Sequence, residues 1–280
     1  MEFEEALRKF ENMSRSETIE LCEEAYEKLR REPPLIRLNG ERILVVGDLH
    51  GDLESCVNAL KHADRLGETK NVFLGDYVDR GLYQSGVINL LLNRKKDNPD
   101  KIFLLRGNHE TPSMNLSYGF IESLIKRFEK EYEEVYDAYL RVFSEMPLAA
   151  VFNDNTIMVH GGLARGIRKI QELEEAGKGG VEPEDPKVFE TIWNDPSEDV
   201  EEFSPNPRGL GVYCFGNNAL KRFLKENSLR MMVRSHEPVF QGHRVLFNGM
   251  LIVVFSCRFY GVEPAALCLK DDEHVFESLK

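Results

Sequence analysis

The chain has 280 residues, 42% of them apolar, and a formal net charge of −12. This apolar fraction is sufficient for a folded core and excludes the composition of a disordered chain. The acidic balance argues against nucleic acid held through its phosphates and against an anionic membrane surface as partners. The sequence has no run of 18 apolar residues and its first 35 residues are charged, so neither a transmembrane helix nor a signal peptide is predicted.

The five cysteines are odd in number, widely spaced and never arranged as a CxxC pair. They predict neither a disulfide framework nor a thiolate zinc site. Reduced, buried thiols are typical of cytoplasmic proteins, so we expect a cytoplasmic location.

Apolar residues at helical spacing predict a first helix over residues 17–31, and the next residues, Glu-Pro-Pro, end that helix. Further amphipathic stretches of helix length lie at 53–66 and 84–96, and a longer helix is predicted over 117–143. The Gly-, Glu- and Pro-rich residues 172–187 indicate a solvated surface loop.

Short apolar runs between the first helices predict buried strands, so the first half alternates strands with helices. The second half is richer in strands. This order predicts an α/β fold with a βαβ core. We expect one domain over residues 1–280, with residues 1–35 as a helical extension packed on it.

Polar clusters follow five of the apolar runs directly. They are GDLHGD at 47–52, GDYVDRG at 75–81, RGNHE at 106–110, HGG at 160–162 and RSHE at 234–237. In open α/β sheets, ligands bind beyond the carboxyl ends of the strands, so we expect these clusters to meet at one place.

The clusters present carboxylate, imidazole and amide groups, a mixture that binds hard transition-metal ions. The candidate metal ligands are Asp48, His50, Asp76, Asn108, His160 and His236. If both ions shared Asp76, they could lie side by side, as in enzymes that hydrolyse phosphate esters. The other histidines, at 62, 243 and 274, are expected to be structural.

Two arginines and the predicted metal ions together indicate an anionic substrate. Two divalent ions would outweigh the charges of Asp48 and Asp76, and Arg80 and Arg208 would add to a local positive excess. A phosphate monoester dianion suits such a site, because the guanidinium fork matches the geometry of phosphate oxygens.

The motifs as a set resemble the PPP family of metal-dependent serine/threonine protein phosphatases, within the calcineurin-like metallophosphoesterases. The resemblance continues through YGF at 118–120, MPLAAVF at 146–152, HGGL at 160–163, WNDP at 193–196 and PRGLGVYCFG at 207–216. It covers roughly residues 17–262, and the chain looks similar to compact archaeal-type catalytic domains. It implies a central β-sandwich flanked by helices, with the metal site at the βαβ core.

The resemblance also implies roles for these residues. Asp48, His50 and Asp76 would bind one metal ion, and Asp76, Asn108, His160 and His236 the other. Arg80, Asn108, Arg208 and Tyr260 would hold the phosphate together with His109, which would act as general acid oriented by Asp79. The implied reaction is direct attack of a metal-bridging hydroxide on phosphoserine or phosphothreonine in proteins, which releases inorganic phosphate. Manganese is expected in vitro, with iron or zinc as alternatives.

One motif departs from the family pattern. The family commonly has SAPNYCG near the site, where this chain has SCRFYG at 256–261. Tyr260 aligns with the family tyrosine, but Phe259 and Gly261 replace its neighbours. We therefore expect the loop over the site to differ.

Three alternatives share the fold. A diadenosine polyphosphate hydrolase is the first, although VDRG and the Glu of GNHE are intact here. A nuclease or phosphodiesterase is disfavoured by the net charge of −12. A non-catalytic protein is disfavoured because every predicted ligand is present. The expected partners are phosphoprotein substrates, without nucleic acid or membrane, and the sequence identifies no regulatory protein.

Overall fold

The computed structural model describes residues 1–270 and 273–280, and every statement below concerns that part of the chain. Its strands are β1 (Leu35–Leu38), β2 (Arg42–Val46), β3 (Lys70–Phe73), β4 (Ile102–Leu104), β5 (Ala149–Phe152), β6 (Thr156–Val159), β7 (Asp195–Pro196), β8 (Phe203–Pro205), β9 (Tyr213–Phe215), β10 (Met231–Arg234), β11 (His243–Leu246), β12 (Leu251–Val254), β13 (Ala265–Lys270) and β14 (Glu273–Ser278). Its α-helices are α1 (Phe3–Ala6), α2 (Arg15–Leu29), α3 (Leu53–Leu66), α4 (Gln84–Asp97), α5 (Pro112–Tyr118), α6 (Phe120–Phe128), α7 (Tyr132–Ser144), α8 (Gln171–Ala176), α9 (Pro186–Trp193) and α10 (Asn217–Glu226).

Two sheets form the centre of the fold. The larger has six strands in the order β1-β5-β6-β10-β12-β11, and the smaller has five in the order β14-β13-β2-β3-β4. Buried side chains from both sheets, among them Val45, Leu267, Val233 and Ile252, form one apolar cluster. The sheets therefore pack face to face as a sandwich, as predicted. A small third sheet, β7-β9-β8, lies outside it.

Strand β2 shows why the apolar runs are nearly continuous. Ile43 and Val45 lie in the cluster between the sheets, whereas Leu44 and Val46 lie in a second cluster with the helices. Successive side chains of a strand point to opposite faces, and both faces of this strand are covered. The parallel register of β2, β3 and β4, together with α3 and α4 between them, is the βαβ core that the sequence predicts.

The helices differ from the prediction at one point. The single helix expected over 117–143 is divided among the end of α5, helix α6, a 3-10 turn at Glu129–Glu131 and helix α7, because the chain changes direction at Gly119 and Glu129, where φ is +108° and +50°. Helices α6 and α7 therefore start separately and present Phe120 and Tyr139 to the same apolar cluster as the N-terminal helix α2. Apolar periodicity alone does not reveal such a break.

The loop predicted over 172–187 also needs correction. Its first residues continue helix α8, and Leu173 is buried. Further along, the carbonyl oxygens of Lys178 and Val181 accept hydrogen bonds of 3.0 and 2.6 Å from the buried Arg106 guanidinium. This segment is therefore bound to the residue that precedes the Gly-Asn-His motif, and it is not simply solvated.

No helix in the described residues is long and apolar enough to cross a membrane.

Candidate active site

The predicted site residues come together beside the ends of both sheets. A parallel bridge between Asp48 and Phe255 joins the end of β2 to the end of β12. Nine of the predicted residues line one cleft of about 240 Å³: Asp48, His50, Asp76, Arg80, Asn108, His109, Arg208, His236 and Tyr260. The other two, Asp79 and His160, are fully buried.

Unusual backbone conformations present several of these side chains. His50, Asp76, Asp79, Arg80 and His236 have φ between +42° and +71°, a region that non-glycine residues seldom occupy. Gly107 allows a close approach, since a Cβ there would lie 2.2 Å from Asp76 Oδ1. Such local strain persists only where the surrounding structure enforces it, and it is concentrated at functional sites.

Asp76 lies between two sets of candidate ligands: Asp48 and His50 on the first side, and Asn108, His160 and His236 on the second side. Its Oδ2 is 3.5 Å from His50 Nε2, and its Oδ1 is 3.3 Å from His160 Nε2. Asp48 Oδ2 lies 3.6 Å from His50 Nε2 on the first side. Burial opposes the charge of Asp76, but the neighbouring imidazoles outweigh it and hold the pKa of this carboxyl well below its usual value. The ionised carboxylate therefore has one oxygen available for each side.

Backbone carbonyl groups orient two of the imidazoles. His50 Nδ1 lies 2.9 Å from Val78 O, and His160 Nδ1 lies 3.0 Å from Leu74 O. Each contact fixes the proton on Nδ1 and leaves Nε2 with a free lone pair, as in metal-binding histidines. Burial also lowers the pKa of His50 to about 4, which keeps that imidazole neutral.

The second side joins Asn108, His160 and His236. His160 Nε2 lies 3.0 Å from Asn108 Oδ1 and 3.2 Å from His236 Nδ1. Burial lowers the pKa of His236 well below its usual value, and its Nε2 is a buried nitrogen without a hydrogen-bond partner among the described residues. A reversed Asn108 amide would direct its nitrogen at both imidazoles, but only the oxygen can bind a metal ion.

These observations test whether a metal pair fits. Two triplets have potential ligand atoms within 4.8 Å of one another: His50, Asp76 and His109, and Asp76, His160 and His236. The donor set that such ions need is present: the ionised carboxylate of Asp76, the imidazoles of His50 and His236, which their lowered pKa values keep neutral, and the amide oxygen of Asn108 beside His160. The residues present fit two ions that share Asp76.

The predicted acid is fixed by a carboxylate. Asp79 Oδ2 lies 2.7 Å from His109 Nδ1 and accepts a 3.0 Å hydrogen bond from Asn115 Nδ2. The other oxygen of Asp79 accepts the backbone N–H of Phe120 at 3.0 Å. Burial opposes protonation of His109, but the carboxylates of Asp76 and Asp79 outweigh burial and raise its pKa.

Of the predicted phosphate-binding residues, Arg80, Arg208 and Tyr260 line the cleft as exposed or partly exposed residues, whereas Asn108 is buried. Arg80 is exposed, and its guanidinium lies 4.3 Å from the centre of the Tyr118 ring. Arg208 Nε donates to Asp195 Oδ2 at 2.6 Å, and burial of Arg208 is outweighed by this carboxylate, which raises the arginine pKa. The Tyr260 ring is centred 5.7 Å from the His50 ring and 5.8 Å from the Arg80 guanidinium.

The family of the chain follows from its similarity to known proteins. A family model described as calcineurin-like phosphoesterase matches residues 41–240. The chain belongs to this family. The serine/threonine-protein phosphatase 4 catalytic subunit of Kluyveromyces lactis is 32% identical to it, over 96% of this chain and 87% of the relative. The subunit of the same name from Saccharomyces cerevisiae is 31% identical, over 95% and 86% of the two chains. The predicted family is confirmed.

Solved structures agree with this assignment. A protein serine/threonine phosphatase from Saccharomyces cerevisiae is similar with a TM-score of 0.85 and 26% identity, covering 95% of this chain and 90% of that one. A cold-active protein-tyrosine phosphatase of a Shewanella species has a TM-score of 0.68 at 18% identity, over 91% and 84% of the two chains, and shows a shared fold alone. The predicted fold class is confirmed. Membership of this family implies a dinuclear metal site, and the described residues contain two His and Asp groups that could hold the ions.

Three further residues, not predicted from the sequence, support the site. Glu110 is fully buried, and its carboxylate accepts the backbone N–H groups of Asp76 and Tyr77 at 2.8 and 2.9 Å. Asn115 holds Asp79, and Asp195 holds Arg208. Glu110 lies within RGNHE at 106–110 and Asp195 within WNDP at 193–196, so their motifs could have indicated a role at the site. No sequence pattern indicated Asn115.

Proposed function

We propose that this calcineurin-like phosphoesterase hydrolyses phosphoserine and phosphothreonine in proteins and releases inorganic phosphate. The observation that carries the proposal is the Asp79–His109 pair, whose imidazole lines the same cleft as the carboxylate of Asp76 and two arginines. Relatives named serine/threonine-protein phosphatase catalytic subunits, aligned over 95% or more of this chain, support the substrate class.

The ligands of the metal pair would be Asp48, His50 and Asp76 on one side and Asp76, Asn108, His160 and His236 on the other. When bound, two metal ions would activate the attacking water and neutralise charge on the phosphoryl group. We propose manganese as the ion that supports activity in vitro, with iron or zinc as alternatives, because the donor set combines imidazole with carboxylate and amide oxygen.

His109 would protonate the departing serine or threonine oxygen. Because Asp79 holds Nδ1, Nε2 is the nitrogen free to donate. The carboxylates of Asp76 and Asp79 outweigh burial and raise the pKa of His109, which favours the protonated imidazole that a general acid needs. Asn115 and the backbone of Phe120 hold the carboxylate of Asp79 in turn, so the acid cannot easily turn away.

Arg80 and Arg208 would bind the phosphate oxygens. Asp195 fixes Arg208 through its Nε and leaves the two terminal nitrogens free for phosphate. The buried Arg234 guanidinium also donates to Asp195, at 2.7 Å, so this carboxylate is held from the opposite side. Tyr260 would limit the position of the phosphate from the face of the cleft that it shares with His50.

The size of the cleft bears on the alternative function. About 240 Å³ is below the range usual for drug-sized ligands, roughly 300–1,000 Å³. This volume accommodates a phosphorylated side chain, with the protein that carries it outside the cleft. The relatives likewise support a protein phosphatase over a diadenosine polyphosphate hydrolase. A cytoplasmic location remains a prediction.

The decisive test measures phosphate release from a phosphoseryl peptide by the full chain, with manganese added and again with a chelator. We expect release with manganese that the chelator abolishes. Diadenosine tetraphosphate is assayed in parallel. Faster hydrolysis of this nucleotide than of the peptide would replace the proposed function with the alternative one.

A further inference from the structure

Ser235 lies among three of the predicted metal ligands without being one of them. It precedes His236 in the chain and is fully buried. Its backbone N–H donates to the carbonyl oxygen of His160 at 3.0 Å. Its backbone therefore links two ligands of the second side, and its side chain is free to act on the first side.

The hydroxyl group of Ser235 contacts Asp48 twice. Ser235 Oγ accepts the backbone N–H of Asp48 at 2.8 Å and makes a short contact with the carboxylate oxygen Oδ1 of the same residue. Val254 O lies 2.7 Å from the hydroxyl as a second acceptor. The backbone N–H of His236 also donates to Asp48 Oδ1, at 2.9 Å. Residues 235–236 therefore hold one oxygen of Asp48 and leave Oδ2 facing His50.

A second serine provides an internal comparison. Ser256 is also fully buried, and its Oγ accepts the backbone N–H of Gly47, the residue next to Asp48, at 2.8 Å. It donates to Ala265 O at 2.7 Å. The two serines thus bond to consecutive backbone N–H groups and to one strand carbonyl each. Of these two hydroxyl groups, only that of Ser235 contacts a predicted carboxylate ligand, Asp48, among the described residues.

We propose that Ser235 is a positioning residue for the metal centre, which fixes the Asp48 carboxylate so that Oδ2 is directed at the first ion. The inference rests on the proposed function, which assigns Asp48 as a ligand. A hydroxyl has one proton, and an ionised carboxylate is a stronger acceptor than a carbonyl group. The Ser235 proton is therefore directed at Asp48, and one oxygen is engaged before any ion binds.

The test compares Ser235→Ala with Ser256→Ala in the metal-free full chain, by calorimetric titration with Mn²⁺. The wild type should bind two ions. In Ser235→Ala, one of the two ions should bind about 10–100-fold more weakly, the usual effect of removing a group that orients a metal ligand. Ser256→Ala should bind both ions as the wild type does, although each variant leaves a buried backbone N–H without its partner. Excess Mn²⁺ should restore the turnover of Ser235→Ala.

Each outcome decides between the possibilities. Equal Mn²⁺ affinities for the two alanine variants would reduce Ser235 to a structural serine and overturn the inference, while the proposed function would stand. A wild type that binds no Mn²⁺ would overturn both. If Ser235→Ala does not fold, Ser235→Cys and Ser256→Cys replace the pair, because a thiol is a weaker donor and acceptor. Weaker Mn²⁺ binding only in Ser235→Cys would support the inference, and equal binding would overturn it.

Discussion

The active site and the N-terminal helices, Phe3–Leu29, are built in opposite ways. At the site, charged and polar side chains are buried, and His50, Asp76 and His236 adopt left-handed backbone conformations. In the N-terminal helices, the buried side chains are mostly apolar, as for Phe10 and Leu29. Among the described residues, no non-glycine residue before His50 has a positive φ.

The two regions therefore contribute to different properties: the N-terminal helices to the free energy of folding, and the site to catalysis. Buried charges and strained backbone conformations cost free energy. Functional sites commonly contain both, and they lower the stability of the protein. Apolar packing in relaxed helices contributes stability without chemistry. Substitutions in the two regions should therefore separate, with loss of turnover in one and loss of folding free energy in the other.

The largest expected effect is on turnover, in His109→Asn. If His109 is the general acid that we propose, its loss should lower kcat about 10²–10⁴-fold, because the leaving oxygen would no longer be protonated. Metal content, measured by elemental analysis, should stay near the wild-type value. A variant that loses its metal would show that His109 acts as a ligand instead, in line with its proximity to His50 and Asp76.

The matched variant is Asp48→Asn, which alters a predicted ligand on the same side. It should lose metal and activity together, because a neutral amide is a weaker ligand than a carboxylate. A fully metallated Asp48→Asn protein would contradict the ligand role.

The second effect concerns substrate binding, in Arg208→Ala. Loss of charge-assisted hydrogen bonds of about 1.5–3 kcal/mol should lower kcat/KM about 10–150-fold for a phosphopeptide. The control is Arg222→Ala, since Arg222 makes a similar pair with Glu202 on an exposed surface. Equal kcat/KM values for the two variants would remove Arg208 from the phosphate site.

The residues at the site show how far the sequence was informative. Predicted ligands such as Asp76 and His160 follow strands within short motifs, so local pattern and resemblance were sufficient to single them out as candidates, and the structure places the two side chains 3.3 Å apart. Asn115 and Ser235 were not predicted as site residues, because their contacts with Asp79 and Asp48 join segments far apart in sequence. Whether a serine reaches a carboxylate depends on sheet packing, which a linear pattern does not contain.

The third effect is on stability, in Leu29→Ala of helix α2. Leu29 is fully buried, so its truncation should lower the free energy of unfolding by about 2–5 kcal/mol, through lost burial and the cavity left behind. Denaturant titration measures the loss, and kcat/KM of the folded protein should be unchanged. Ile125→Ala is the control, because Ile125 is 43% exposed. A fall in kcat/KM without loss of stability would contradict the separation of the two regions.

The fold was predictable for a related reason. Strands such as β2 and helices such as α3 come from periodic local patterns that tertiary packing reinforces. The break at Glu129 and the contact of residues 178–181 with Arg106 were missed, because a left-handed residue and a buried guanidinium are decided by distant partners.

A smaller effect is expected from Ser14→Ala at the start of α2. Ser14 and Glu17 form a capping box, in which the Ser14 backbone N–H donates to Glu17 Oε2 at 2.8 Å. Loss of the cap should lower the free energy of unfolding by about 1 kcal/mol, with unchanged turnover. Ser14→Asp should retain most of the stability, because aspartate is also a good cap. A variant with wild-type stability would show that the cap contributes nothing in this chain.

The smallest effect is a pH dependence of stability that arises from Glu11, between α1 and α2. Burial raises the pKa of Glu11, although the Gly86 backbone N–H, which donates to its carboxylate, opposes the rise. The folded state therefore favours the protonated acid, so its stabilisation is complete below the unfolded pKa and is lost as pH rises through the folded pKa. Glu11→Gln should keep the acceptor for Gly86 and flatten this dependence. Denaturant titrations between pH 4 and pH 8 should show wild type and variant diverging as pH rises, with the variant the more stable at the upper end by less than the effect of Ser14→Ala. Parallel curves for the two proteins would mean that burial of Glu11 does not oppose its ionisation. The N-terminal helices would then differ from the active site in this carboxylate as well.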